Sequence, residues 1–185
     1  MSTETGYAQH HYLPRLARVK AVQAMTDLEV FLELSPPGRE PMDYTPGQFV
    51  QVSLLGIGEV PISICSSPTR GDAFQLCVRR AGIVTHAMQR IEAGSRLGIR
   101  GPFGRGFPLL EMLGYDLVLV AGGLGIAPLR SLIAYVLDKR ENFGRLVVIY
   151  GTKSPETLLF HEDLDAWGGR EDMELIVTVD EADDG

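Results

Sequence analysis

The chain has 185 residues, 45% of them apolar and 22% charged, which is ordinary for a globular protein with a sizeable core. A net charge of −7 with no Lys/Arg-rich run argues against nucleic acid or anionic membrane as a partner, and no stretch approaches the roughly 20 uninterrupted apolar residues of a membrane helix. Two cysteines, Cys65 and Cys77, are too few for a disulfide scaffold, an iron–sulfur cluster or a four-cysteine zinc site; no metal centre is read, and a reducing cytoplasm is expected.

Residues 1–10 read as a loose polar tail without an apolar signal core. From Leu13 to Arg100, short apolar or alternating runs follow one another closely. They predict strands at Leu16–Met25, Leu28–Glu33, Phe49–Leu54, Val60–Ser66, Ala73–Val78 and Arg96–Arg100. Turns fall at Pro36–Gly38, Thr45–Gly47, Pro68–Asp72 and Ala93–Gly94, a spacing that suits a barrel or a sandwich. One helix interrupts them, over Thr85–Ile91, where Val84, Ala87, Met88 and Ile91 keep helical spacing.

After the glycine–proline loop Gly101–Pro108 the rhythm changes. Leu117–Ala121 is a continuous apolar strand, as in a parallel sheet covered on both faces. A helix over Pro128–Asp138, a strand at Arg145–Tyr150, a helix over Pro155–Ala166 and a strand at Glu174–Val179 follow. This alternation begins a doubly wound sheet. The expected organisation is a β domain over residues 11–110 and an incomplete α/β domain over 111–185. The sequence stops at "VTVDEADDG", where such a sheet ordinarily continues, so a longer natural protein is expected.

"LVLVAGGLGIAPLRSLI", residues 117–133, has Gly122 and Gly123 straight after a strand and Pro128 in the first turn of a helix. Glycines let a ligand approach the backbone, and a helix N-terminus attracts phosphate. Two readings stand: a tight strand-to-helix turn, or a cradle for a pyrophosphate. The spacing differs from G-x-G-x-x-G in having Pro128 third, and the next strand ends in Gly151-Thr152-Lys153 rather than an acid. A second constellation lies upstream. "VPISICSSP" (Val60–Pro68) ends a strand in small hydroxyls, and "CVRRAGIVTHAM" (Cys77–Met88) puts Gly82 and Thr85 at a helix start, behind Arg79 and Arg80.

Taken in order, these motifs resemble the ferredoxin-reductase-like family of flavin- and nicotinamide-binding electron transferases, over nearly the whole chain from Leu13. They are most similar to the branch that holds dihydroorotate dehydrogenase electron-transfer subunits, the corresponding subunits of anaerobic sulfite reductases and the gamma subunits of nickel–iron hydrogenases. "YGTKSPETLLFHEDLDAW" (Tyr150–Trp167) resembles that branch too. The resemblance implies a Greek-key antiparallel β-barrel that binds FAD, followed by a partial doubly wound parallel α/β domain that binds NAD or NADP. It assigns FAD to Val60, Pro61, Ile62, Ser63, Ile64, Cys65, Ser66, Cys77, Val78, Arg79, Gly82, Val84 and Thr85, with Arg79 as the charge partner. Val60 and Ile62 stand where the family has arginine and an aromatic. NAD(P) falls to Gly122, Gly123, Gly125, Ile126, Ala127 and Pro128, and its adenosine end to Gly151, Thr152 and Lys153. The implied chemistry is hydride transfer from NAD(P)H to flavin N5, the flavin carrying the reaction. Electrons would pass on to a [2Fe–2S] cluster in a missing C-terminal segment or to iron–sulfur clusters of a redox partner subunit.

Several residues keep two readings. Lys153 is either a partner for a 2′-phosphate or a solvated loop lysine. Cys65 is either a reactive thiol or a small core residue, and His86 either reaches an FAD phosphate or is a plain helix residue. His10, His11 and His161 read as surface residues, and Glu162, Asp163 and Asp165 as the solvated face of a helix. The competing functions are a stand-alone NAD(P)H:flavin reductase, a non-catalytic nucleotide-binding regulatory subunit, and a barrel with a degenerate appendage.

Overall fold

The computed structural model describes residues 13–38 and 40–181, so the expectations for residues 1–10 and for His10 and His11 lie outside it. The first part has strands β1 (Arg15–Ala24), β2 (Glu29–Leu34), β3 (Phe49–Leu54), β4 (Gly58–Ser63) and β5 (Phe74–Arg79), then helix α1 (Ile83–Met88) and strand β6 (Arg96–Phe103). All pairings are antiparallel, in the order β4-β3-β6-β1-β2-β5. The sheet's two edges meet at an antiparallel bridge between Ile64 and Leu76. Alternation decides the faces. In β2, Val30, Leu32 and Leu34 enter a core with Val50, Val52, Ile64, Phe74 and Ile99, while Phe31 turns to the other side.

The second part has β7 (Leu117–Gly122), α2 (Ile126–Asp138), β8 (Leu146–Thr152), α3 (His161–Gly168) and β9 (Glu174–Val179). The three strands form a parallel sheet in chain order. Leu119, Ala121, Val148 and Tyr150 pack with Leu132, Ile133 and Trp167 of the helices. Cys65, Cys77 and Phe31, although they belong to the antiparallel part, join this second cluster, so the two parts share one apolar seam.

Four expectations change. The strand expected over Val60–Ser66 leaves its ladder after Ser63, because Ile64 crosses to pair with Leu76. α2 starts two residues before Pro128, which sits third in the helix, where its missing N–H still interrupts no bond. The helix expected over Pro155–Ala166 is broken: residues 155–157 form a single 3-10 turn and α3 begins at His161. Between them Phe160 is left-handed (φ 59°), and its buried ring packs on Phe31 and Arg130. Tertiary packing there outweighs helical preference. Finally, among the described residues β7 is covered on one face only, Val118 and Val120 being exposed on the other.

Candidate functional site

The stretch after β7 folds as a 3-10 turn, Gly123–Gly125, that runs straight into α2. Gly122 ends its strand opposite Gly151 of β8, at the carboxyl edge of the parallel sheet, the edge where open α/β sheets bind ligands. The glycines separate into two kinds. Gly123 has φ +50°, a left-handed conformation that side chains resist. Gly122 (φ −116°) and Gly125 (φ −59°) have ordinary backbones, and a Cβ at either would meet nothing within 4 Å. Neither the turn nor the packing of the chain requires glycine at those two positions. Bare backbone open to solvent beside uncapped helical N–H groups is what a pyrophosphate needs.

Around this turn the side chains take different parts. Ile126 and Ala127 point into the core, leaving only their backbone for a ligand, and Pro128 is half-buried. A Cβ at Gly151 would touch the Thr178 methyl at 3.4 Å. The buried Thr152 hydroxyl is bonded to that of Thr157, and Lys153 is exposed at the strand end.

On the antiparallel side, β4 is an edge strand, so backbone groups of Gly58–Ser63 facing away from β3 lie outside the ladder. Val60, Ile62 and Ser63 are half-buried and Pro61 is exposed. Ile64, Cys65 and Ser66 are buried, the Ser66 hydroxyl lying 2.7 Å from Tyr44 Oη and accepting the Gln75 N–H at 3.0 Å. Burial pushes the Tyr44 phenol and the Cys65 thiol each up to about 12, and raises the buried Cys77 thiol further. Val78 is also in the core. The Thr85 hydroxyl accepts the N–H groups of Ala81 and Gly82, both at 2.8 Å, and donates to Gly82 O at 3.1 Å, which fixes the turn into α1. Val84 is half-buried beneath that turn. Gly82 is extended (φ −167°), and a Cβ there would meet nothing within 4 Å. Beside it a shallow groove of about 440 Å³ is lined by Arg80, Gly82, Ile83 and the exposed His86.

Arg79 joins the two constellations. Its Nε donates to buried Glu29, and its Nη2 is the atom nearest to where a Cβ of Gly123 would stand, at 3.8 Å. Three residues later the same strand end becomes the Gly82 turn. Arg130 joins the halves from beneath. Its Nε donates to Asp163 at 2.7 Å, and its Nη1 to Cys65 O at 3.0 Å and Gln75 Oε1 at 2.8 Å. Its guanidinium also lies over the rings of Phe31 and Phe160. Asp163 is therefore an ion-pair partner and not a solvated helix residue, whereas Glu162 and Asp165 are exposed as expected. His161 is exposed as well.

Glu29 and Arg130 escaped the sequence reading. The alternation of β2 held the signal for Glu29: it shares a face with Phe31 and Glu33, opposite the apolar Val30, Leu32 and Leu34. Among the described residues, no three His, Cys, Asp or Glu side chains gather as metal ligands, and no helix is long and apolar enough to cross a membrane.

A sequence profile described as the oxidoreductase NAD-binding domain matches residues 119–185. The sulfhydrogenase 1 gamma subunit of Pyrococcus furiosus is 42% identical over 169 residues, 90% of this chain and 56% of that protein. Residues 119–185 therefore match an NAD-binding oxidoreductase domain, and the chain has a ferredoxin-reductase-like fold. Another relative, the probable dihydroorotate dehydrogenase B (NAD(+)) electron transfer subunit of the same organism, is 32% identical over 146 residues, 79% of this chain and 52% of its own. The ferredoxin-reductase-like fold is matched by the flavohem-like FAD/NAD-binding domain of nitric oxide dioxygenase from Vibrio cholerae O1 biovar El Tor, with a TM-score of 0.80 at 18% identity over 93% of this chain and 77% of that one. The chain spans about half the length of the curated relatives it matches.

Proposed function

We infer that this chain is the flavin- and nicotinamide-binding part of an electron-transfer subunit, working in the cytoplasm between NAD(P)H and a partner subunit that carries iron–sulfur clusters. The observation that carries this reading is the place of Arg79, which immediately precedes the Gly82 turn in the chain and sends its Nη2 toward Gly123 of the other half. Two open glycine turns in different halves, with one cationic residue between them, suit two dinucleotides held side by side. Relatives named as a hydrogenase gamma subunit and as an NAD(+)-linked electron transfer subunit support the same activity.

On this reading the backbone of Val60–Ser66 and Cys77–Arg79 meets the flavin, and the turn Gly82–Thr85 its phosphates. Gly122–Pro128 receive the phosphates of the nicotinamide dinucleotide, and Gly151–Lys153 its adenosine end. FAD held by these residues would supply the redox chemistry between a hydride donor and one-electron acceptors. The protein's task is to orient and to exclude water. The open glycine turn admits the dinucleotide, Arg79 offers donors beside it, and the buried packing of Cys65, Cys77 and Phe31 against the parallel part fixes the two halves relative to each other.

Absorbance tests this directly. The purified protein, supplied with FAD, should be yellow, and anaerobic NADH or NADPH should bleach it. A one-electron acceptor protein should then restore the colour. Failure to retain FAD, or retained FAD that neither nucleotide reduces, would remove the proposal.

A further inference from the structure

Glu29 is a buried carboxylate, 3% exposed, that stands at the start of β2 opposite Arg79 of β5. A carboxylate taken out of water must be paired and hydrogen-bonded. Both its oxygens are engaged, Oε1 by Arg79 Nε and Oε2 by the Thr26 hydroxyl. Thr26 is fixed in turn, because its oxygen accepts the N–H of Leu28 at 3.0 Å and of Glu29 at 3.2 Å. The N–H groups of Met25 and Thr26 both donate to Glu29 O, at 2.9 and 3.3 Å. The β1–β2 turn is thus a rigid bracket behind the carboxylate.

A guanidinium carries its donors in a planar fork. The bracket holds Nε, and among the described residues that is the one hydrogen bond the Arg79 side chain makes. The terminal nitrogens carry no hydrogen bond among the described residues, and Nη2 lies beside Gly123. We propose that Glu29, anchored by Thr26, is a positioning residue that aims the free donors of Arg79 at phosphate oxygens of the dinucleotide lying over Gly122–Gly125. This rests on the nucleotide-binding reading above. The sign of the effect is diagnostic. Glu29 and Arg79 cancel in net charge, so what Arg79 offers an anion here is directed hydrogen bonding. Neutralising Glu29 adds one positive charge to the site, which by charge alone would tighten a phosphate ligand. Loss of aim would weaken it instead.

The test is equilibrium binding of ADP-ribose, a probe with nothing to reduce, to the FAD-loaded protein by calorimetry, with the flavin spectrum recorded alongside. Glu29→Gln should weaken ADP-ribose on the order of tenfold while flavin stays bound, the size of a lost charge-assisted contact. Arg79→Gln should weaken it similarly, and the double variant no further, since Glu29 acts through Arg79. Thr26→Val, a milder change that keeps both charges, should move affinity in the same direction by a few-fold. Unchanged or tighter binding in Glu29→Gln or Thr26→Val, or additive losses in the double variant, overturns the assignment. A wild-type protein that holds FAD but not ADP-ribose, or neither, overturns the functional reading and this one with it.

Discussion

Arg130 offers the sharpest test of how the two halves are joined. Arg130→Ala removes one ion pair, two hydrogen bonds to the antiparallel part, and a cation stacked against two rings. The arginine side chain is only 16% exposed and Asp163 24%, so neither is a free surface charge. Breaking a fully buried pair by removing one partner costs about 3–5 kcal/mol. Water can reach part of Asp163 once the arginine is gone, which lowers the cost to about 2–3 kcal/mol. For a chain of this size that corresponds to a fall of about 5–10 °C in Tm. Arg130→Lys keeps the charge but not the fork, and should recover less than half of the loss. Arg145 serves as the control, since its ion pair with Glu174 is 68% and 46% exposed. Arg145→Ala should change stability by less than about 0.5 kcal/mol. Thermal melting followed by circular dichroism reads all three. Should Arg130→Ala melt within a degree or so of wild type, or no lower than Arg145→Ala, the joint has been misjudged.

The glycine turn predicts a split between stability and binding. Gly122→Ala and Gly125→Ala should leave unfolding free energy unchanged or raised by up to about 1 kcal/mol, yet weaken NAD(P)H binding; Gly123→Ala should lose about 1 kcal/mol by denaturant titration because of its positive φ. Bidentate pairing with Arg70, helped by the Thr69 hydroxyl, holds the Asp138 carboxyl below its ordinary value. Its stabilisation is therefore fully present above the unfolded carboxyl's pKa of about 4 and lost as pH falls through the lower folded value. Chemical unfolding of Asp138→Asn should show a deficit at pH 7 that closes in acid; a deficit independent of pH would contradict the pairing. Cys65 and Cys77, buried and with raised thiol pKa values, should resist a thiol reagent at pH 8 until the protein is unfolded.

Local rhythm carried most of the fold. Every strand of both sheets was legible from period-two alternation or a short apolar run, and the change of rhythm after Gly101–Pro108 marked the passage from antiparallel to parallel. Misreadings arose where distant contacts decide. Phe160 breaks a helix because its ring is wanted against Arg130 and Phe31, which lie far away in sequence. Val118 and Val120 look like buried strand residues in the sequence, and among the described residues nothing covers them. The glycines could be found by spacing, but not sorted: a positive φ at Gly123 and empty space at Gly122 and Gly125 are properties of coordinates. Ionic partners such as Glu29–Arg79 and Arg130–Asp163 join residues 50 and 33 positions apart, beyond any local pattern.

The shared seam bears on protein engineering. Cys65, Cys77 and Phe31 sit on the antiparallel part yet pack among the residues of the parallel one, so the boundary between the halves runs through side chains rather than along the connecting loop. A chimera spliced in that loop, with a relative's nucleotide half grafted on, would bring a foreign surface against these three residues. Such a graft needs compensating changes on the antiparallel part, chosen to fit the incoming helices, before its folding can be judged.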